Sequence, residues 1–286
     1  METQTKQLLK FLVLPLLLLT AVIWIANFQN KPDFLMHADF LDVGQGDAIF
    51  IQTYLGNQIL IDGGPSSAVL AELGESMPPM DRTLDLLILT HPDADHVTGI
   101  VEVMRRYKVK KILFTGVKVD TAVDREFEKL LEQNHIEKIY AHQGQRVWLD
   151  NATVFDIYWP YAQPQEIIKA TNDTSIIGKL SFGKTQILLT GDATSRVEDE
   201  ILALFNLDVD LLKVGHHGSK SSTSTQWLAE VTPEYSVIQV SSTNTYGHPT
   251  VEVLERLYSS GAQIFRTDVD GTTRFVSDGI FLKKIK

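Results

Sequence analysis

Apolar positions along the chain fall into three regimes. From residue 11 to residue 28 they run without a single charge, mostly Leu, Val and Ile, behind Lys6 and Lys10. A run of about 20 such residues crosses the hydrocarbon core of a bilayer as a helix. Basic residues ahead of it favour a cytoplasmic N-terminus and an exported C-terminal body. The element expected within residues 1–30 is therefore a membrane helix, in which an early Pro15 is tolerated. A cleaved signal peptide is the rival reading, although Trp24-Ile25-Ala26-Asn27 makes a poor small-x-small cleavage site.

Past a short polar linker the spacing turns to alternation. Residues 37–43, 48–53 and 58–61 read as strands, with Gly44-Gln45-Gly46-Asp47 as a tight turn. Apolar strands then alternate with helical spacing: strands at 84–89 and 111–114, helices at 97–107 and 124–134. A strand-rich stretch over 139–158 leads to paired strands at 175–181 and 185–189. Helices at 195–205, 224–231 and 250–259 interleave with strands at 210–214 and 235–240. Strands near 263–266, 273–276 and 280–283 close the chain. No low-complexity linker divides this body, so residues 36–286 read as one α/β domain.

The body also repeats itself. Leu84-Asp85-Leu86-Leu87-Ile88-Leu89-Thr90-His91 resembles Val209-Asp210-Leu211-Leu212-Lys213-Val214-Gly215-His216, position for position. Each copy follows an apolar strand with an acidic loop, Ile61-Asp62-Gly63-Gly64 in one and Leu189-Thr190-Gly191-Asp192 in the other. Two related halves, each sending a strand to a histidine at a shared edge, account for this pattern.

Composition narrows the chemistry. With 44% hydrophobic and 22% charged residues among 286, the chain can bury a sizeable core. A net charge of -10 makes the whole molecule repel polyanions, so a nucleic-acid substrate would need local metal ions or a basic patch. The absence of cysteine excludes disulfides, thiolate zinc sites and a cysteine nucleophile.

The densest chemistry lies in Thr90-His91-Pro92-Asp93-Ala94-Asp95-His96, between an apolar strand and a helix. Imidazole nitrogens mixed with carboxylate oxygens suit zinc, manganese or iron better than calcium. His91, Asp93 and Asp95 sit at alternate positions of an extended turn and can converge, with His96 opening the helix. An N-capping role for Asp95 would explain one acid, but not two histidines and two acids together.

This H-x-D-x-D-H run resembles the H-x-H-x-D-H signature of metallo-β-lactamase-fold hydrolases, with Asp93 in place of the second histidine. Gly44-Gln45-Gly46-Asp47, Ile61-Asp62-Gly63-Gly64, Leu189-Thr190-Gly191-Asp192, His216-His217-Gly218-Ser219 and Tyr246-Gly247-His248-Pro249 extend the likeness over the whole body. Their order is similar to that in the hydrolase domain of ComEC competence proteins. The resemblance implies a four-layer αββα fold of two related halves and two divalent ions, zinc or manganese. It implies His91 and Asp93 at one metal, Asp95 and His96 at the other, Asp192 bridging them, and His216 completing the second site. The internal repeat also pairs His216, rather than His217, with His91. Asp62 is expected to orient a histidine ligand. Many relatives carry a further histidine where this chain reads Thr171-Asn172-Asp173-Thr174-Ser175, which leaves the first metal one ligand short.

Asp95, His217 and His248 are the candidate catalytic groups, the two imidazoles as proton or hydrogen-bond donors to a leaving oxygen. Asn244, Ser219 and Lys220 are candidate substrate contacts, the last two on a loop whose amides can receive a phosphate. The expected function is that of an extracytoplasmic phosphodiesterase using metal-activated water, a nuclease on DNA during uptake, single-pass in the cell membrane and working beside a separate channel protein. The alternatives are a secreted form, a phosphoesterase on cell-wall phosphocholine or teichoic acid, another hydrolase, and a non-catalytic surface binding module.

Overall fold

The computed structural model describes residues 11–20, 33–161 and 171–285. The alternating segments of the body assemble into two large sheets. One has eight strands, in the order Leu282–Ile285, Thr273–Ser277, Met36–Phe40, Ile49–Gln52, Gln58–Ile61, Leu86–Leu89, Lys111–Phe114 and Glu137–Tyr140. The other has seven, in the order Gln263–Arg266, Tyr235–Ile238, Leu211–Lys213, Thr185–Leu189, Ile177–Phe182, Thr153–Trp159 and Arg146–Trp148.

The repeat read in the sequence is present in the pairing of the strands. Starting from Met36–Phe40, two antiparallel pairings are followed by three parallel ones. Starting from Thr153–Trp159, the second sheet runs through the same series. Leu86–Leu89 thus corresponds to Leu211–Lys213, and the aspartate ahead of each does the same work. The Asp85 carboxylate accepts the Gln58 N–H at 2.8 Å while the Asp85 N–H reaches the Gln58 carbonyl at 2.8 Å. Asp210 clamps Gln186 in the same two ways, at 2.7 and 3.0 Å.

Period-two alternation decides the layers. Ile59, Ile61, Leu86 and Ile88 face Phe155, Leu180, Ile187 and Leu211 in a core between the sheets. Leu60, Leu87 and Leu89 point the other way, onto Val69, Val97, Ile100 and Phe127 of the helices Ala68–Ser76, Ala94–Met104 and Ala122–Gln133. Leu188 and Leu212 do likewise onto Val197, Trp227 and Val253 of Ser195–Leu202, Thr225–Val231 and Val251–Ser260. The result is helices, sheet, sheet, helices. Each buried aliphatic side chain contributes about 1.5–3 kcal/mol, and truncating a central one such as Leu87 to alanine would cost about 2–5 kcal/mol.

Three expectations shift. Ala68–Ser76 is a helix that the hydrophobic pattern does not announce, because it buries only Val69 and Leu73 and carries Gly74. The helix expected over 97–107 is Ala94–Met104, so Asp95 and His96 ride in its first turn. Residues 11–20 are helical with exposed apolar side chains, and among the described residues no helix is long and apolar enough to cross a membrane. The expected span over residues 11–28 is thus met only as this ten-residue helix; the rest of it lies outside the described residues.

Candidate metal centre

Loops leaving the parallel strands of both sheets meet at one edge. In the first half, the backbone after Gln58–Ile61 turns left-handed at Asp62, with φ 56°. The buried Asp62 carboxylate accepts the Thr90 N–H at 2.8 Å and the Thr90 hydroxyl at 2.6 Å, and meets His96 Nδ1 at 2.8 Å. The hydroxyl hydrogen of Thr90 is thereby used, so its oxygen accepts from His91 Nδ1 at 3.1 Å. Both buried imidazoles therefore carry their structural hydrogen on Nδ1 and turn Nε2 toward the edge. Glycine makes this approach feasible: a Cβ on Gly63 would fall 2.4 Å from the Ile100 nitrogen, and one on Gly46 would fall 2.1 Å from the Asp95 carbonyl oxygen. Asp93 caps the helix by position, yet its side chain makes no capping bond and stays free.

In the second half the strand Leu211–Lys213 leads into two successive non-glycine residues in the left-handed region, His216 at φ 48° and His217 at φ 52°. Such conformations cost on the order of 1–3 kcal/mol each and persist where surrounding contacts over-determine them. His217 Nδ1 donates to the Gln239 carbonyl at 2.9 Å, and Gln239 Nε2 donates to the carbonyls of Leu41 and Ala48 at 3.0 and 2.7 Å. This network aims His217 Nε2 at Asp192 Oδ2, 3.3 Å away, and at Asp95 Oδ2, 3.4 Å away. His96 Nε2 lies 3.4 Å from the same Asp192 oxygen. Asp95, His96, Asp192 and His217 thus bring one ligand atom each within 4.8 Å of one another.

Behind this group sits a buried lysine. Lys213 Nζ pairs with Asp47, donates to the Gly191 carbonyl at 3.0 Å and stands 3.7 Å from Asp192 Oδ1. Asp47, Asp62 and His96 also approach one another closely, but Asp47 is taken by Lys213 and Asp62 by Thr90 and His96. That trio supports the ligands; it is not a second ion site.

The electrostatics suit a cation. Burial works against the Asp192 carboxylate, but the charges of His217 and His96 outweigh it and hold its pKa well below the usual range. Burial also opposes charge on His96 and His217, yet Asp192 together with Asp62 or Asp47 lifts both well above an ordinary imidazole. Asp95, disfavoured by burial but drawn down by the adjacent His217 and His96, is held at about 2. His91, buried and next to His96, is pushed down to about 4. Burial lowers His216 and raises Asp93. The Nε2 atoms of His91, His96 and His217, and Asp192 Oδ1, are buried without a hydrogen-bond partner among the described residues. Each such orphan costs about 1–3 kcal/mol, and a divalent ion with nitrogen and oxygen preference satisfies them together. The residues fit the group.

The family model for the metallo-beta-lactamase superfamily matches residues 41–241. The chain belongs to that superfamily. It is 30% identical over 256 residues to "ComE operon protein 3" of Bacillus subtilis, covering 83% of this chain and 32% of the relative. It is 32% identical over 264 residues to "Recombination protein 2" of Haemophilus influenzae, covering 91% and 31%. "Competence protein ComA" of Neisseria gonorrhoeae is 28% identical over 237 residues, covering 82% and 31%. The chain spans about a third of the length of these relatives. Among solved structures, the metallo-beta-lactamase fold protein YhfI of Bacillus subtilis superposes with a TM-score of 0.53 at 15% identity, over 82% of this chain and 96% of that one. Igni18, a metallo hydrolase of Ignicoccus hospitalis, gives 0.53 at 18% identity, over 84% and 98%. At such identities the likeness is one of fold.

Within this metallo-β-lactamase scaffold His217, rather than the adjacent His216, stands with Asp95, His96 and Asp192. His216, expected as a ligand, has Nε2 3.9 Å from Asp192 Oδ2 and already 3.3 Å from Asn172 Nδ2, with Nδ1 3.3 Å from Ser221 Oγ. His217, expected as a catalytic acid, is the one whose bare Nε2 joins the cluster. The left-handed turn is the reason, since it carries the second half off the path that residues 89–91 follow. His91 Nε2 and Asp93 Oδ2 lie 3.7 Å apart on the other side of His96.

Two expected substrate contacts are spent on their own loops. Both Asn244 Nδ2 bonds go to the carbonyls of Ser241 and His248, at 2.7 Å each, and its Oδ1 accepts the N–H groups of Tyr246 and His248. Ser219 Oγ is buried against Ser221. Lys220 is exposed on that loop. His248 stands beside His216, ring centroids 5.7 Å apart, with Nδ1 unpartnered among the described residues. Asp47, Lys213, Gln239 and Asn172 go unannounced as site residues. Only Lys213 leaves a clear trace in the sequence, as a lone charge in an apolar strand where the repeat has Ile88.

Proposed function

We propose that this chain is a metal-dependent phosphodiesterase that cleaves DNA outside the cell membrane during uptake. The observation that carries the reading is the convergence of Asp95, His96, Asp192 and His217 at the meeting edge of the two halves, with Nε2 of both histidines unpartnered among the described residues. The names of two relatives, a competence protein and a recombination protein, support DNA as the substrate. The uncharged run over residues 11–28 supports a body held on the outer face. The partner in this reading is a DNA-uptake channel.

Divalent ions bound here, zinc or manganese, would acidify a water and offset charge on the attacking and leaving oxygens of an in-line displacement. Asp95, His96, Asp192 and His217 would hold one ion. His91 and Asp93 would hold the other, with Asp192 shared and His216 at its margin. Asp62 and Thr90 keep the imidazoles in the Nδ1–H form, so Nε2 is the free donor. His96 and His217 give up their extra protons as they ligate. His248 is held below its usual pKa by burial and by His216, so near neutral pH it is an uncharged ring that donates a hydrogen bond to a leaving oxygen. Lys220, exposed on the adjacent loop, is placed to meet a phosphate.

The test is elemental analysis of the purified chain, followed by assays on single- and double-stranded DNA with manganese and with zinc. Bound metal and DNA cleavage are expected. Cleavage of a chromogenic phosphodiester but not of DNA would move the substrate to another exported phosphoester, such as a phosphocholine or teichoic-acid linkage. Bound metal without any hydrolysis would leave a binding module, and no metal at all would end the reading.

A further inference from the structure

The end of the body remote from the metal centre carries protruding apolar side chains. Phe34, Leu55, Trp148, Ile280 and Phe281 are exposed there, Trp148 at 61% and Phe281 at 63%. They come from separate segments that the structure ties together. The Phe34 ring lies 5.4 Å from that of Tyr54, and Tyr54 lies 5.6 Å from Phe182. The Leu55 N–H donates to Asp150 at 3.2 Å, and Asn57 Nδ2 donates to the Leu149 carbonyl at 2.5 Å, next to Trp148. The Lys184 N–H donates to the Gly279 carbonyl at 2.7 Å, next to Ile280. A Cβ on Gly183 would fall 2.2 Å from that same oxygen, so the two turns touch.

The strands place this cluster opposite the ligands. Leu55 precedes and Asp62 follows the strand Gln58–Ile61, while Gly183 precedes and Asp192 follows Thr185–Leu189. At about 3.3 Å per residue the two ends stand on the order of 20 Å apart. Apolar tips raised on several separate turns suit a fluid cover.

Where the chain arrives says which cover. Residue 33 follows the uncharged run of residues 11–28 after only four residues, and the apolar side chains of the described helix over 11–20 are exposed as well. A lipid surface covers both, and Trp and Phe suit the boundary between headgroups and acyl chains. We infer that this end of the body rests in the headgroup region of a phospholipid bilayer, so that the metal centre opens away from the membrane. Asp33, Asp150 and Asp278 share this end with the exposed Lys184 and Lys283, a mixed charge that a zwitterionic headgroup matches. The inference rests on the N-terminal run as the tether and not on the hydrolytic reading.

The test uses the full chain carrying Trp24→Phe, in phosphatidylcholine vesicles with and without bromine on the acyl chains. Of the tryptophans that remain, Trp159 and Trp227 are buried and Trp148 is exposed. Brominated lipid is expected to quench the Trp148 emission, and the quenching is expected to vanish when Trp148→Phe is added. Adding Ile280→Ser with Phe281→Ser instead should lower the quenching about twofold or more, because two inserted side chains have been withdrawn. Metal content should stay at its starting value throughout. Emission from the Trp24→Phe chain that is indifferent to bromine would overturn the inference and point to a protein partner on this face, as would quenching unchanged by the paired serine substitutions.

Discussion

Residues 36–140 and residues 153–266 run through the same five strand pairings and brace the central strand with the same aspartate clamp, Asp85 on Gln58 and Asp210 on Gln186. They part at the far end of those strands. The first half passes straight into the helix Ala94–Met104 and presents Asp95 and His96 from its first turn. The second half bends left-handed and presents the later of two histidines. Where the first half keeps Ile88 in the core between the sheets, the second half buries Lys213. Strand framework and edge chemistry therefore answer to different constraints. Apolar burial and ladder hydrogen bonds hold the framework whatever stands at the edge, so it can be repeated. The edge has to be complementary, and a carboxylate-rich first half meets a second half that brings histidine and an ammonium.

The comparison breaks most severely at the atom where the halves meet. Asp192 Oδ2 faces His96 from one half and His217 from the other. Asp192→Asn should lower turnover by about 10⁴-fold or more, the several kcal/mol that a correctly held metal pair supplies, and should reduce bound metal. Steady-state kinetics with elemental analysis checks this, and near-normal activity would mean that the halves share no ion.

The next largest effect concerns the residue that differs between the copies. Lys213→Met strips the buried Asp47 of its ammonium and leaves it only His217, 3.3 Å away, which costs about 3 kcal/mol and should lower the melting temperature by about 10 °C. Lys213→Met combined with Asp47→Asn should recover most of that loss. In the first half Ile88→Val removes only a methylene's worth of packing and should cost about 1 kcal/mol. Thermal unfolding of the three variants decides it; equal losses for Lys213→Met and Ile88→Val would show that the ammonium is no more than filler.

What could be read from the sequence divides along the same line. The strands, the two related halves and the His91 to His96 cluster are legible because each is a local pattern: alternation, a repeated aspartate-led strand, and ligands within one turn. The choice between His216 and His217 is not local. It depends on a left-handed turn held by Gln239, whose side chain is anchored on Leu41 and Ala48 in the other half. The pairing of Lys213 with Asp47 likewise crosses between the halves, and nothing in either segment names its partner. Asn244 misleads for the opposite reason, since its amide looks available in sequence but is consumed within its own loop.

The two adjacent histidines give a smaller but sharper test. His217→Ala should weaken metal binding about 10–100-fold, read by competition with a chromogenic chelator, whereas His216→Ala should leave the tighter ion in place. The reverse outcome would restore the pairing of His216 with His91 and mean that the turn rearranges on loading.

The smallest effect on the metal centre is expected from the framework itself. Asp85 and Asp210 each accept one backbone N–H, at 2.8 and 2.7 Å, and such a bond to a charged acceptor is worth about 1.5–3 kcal/mol. Asp85 also meets Lys110, but that lysine is half exposed, so the ion pair adds about 1 kcal/mol at most. Asp85→Ala and Asp210→Ala should therefore each cost about 1.5–3 kcal/mol in denaturant unfolding and add in the double variant. Neither should change metal content, because both clamps sit at the strand ends remote from the ligands. Loss of metal from either variant would mean that the clamp sets strand register, since a slip of one residue turns every side chain to the opposite face. Framework and edge would then be coupled in that half, and the repeat would have been retained for the placement of the ligands as well as for the stability of the sheet.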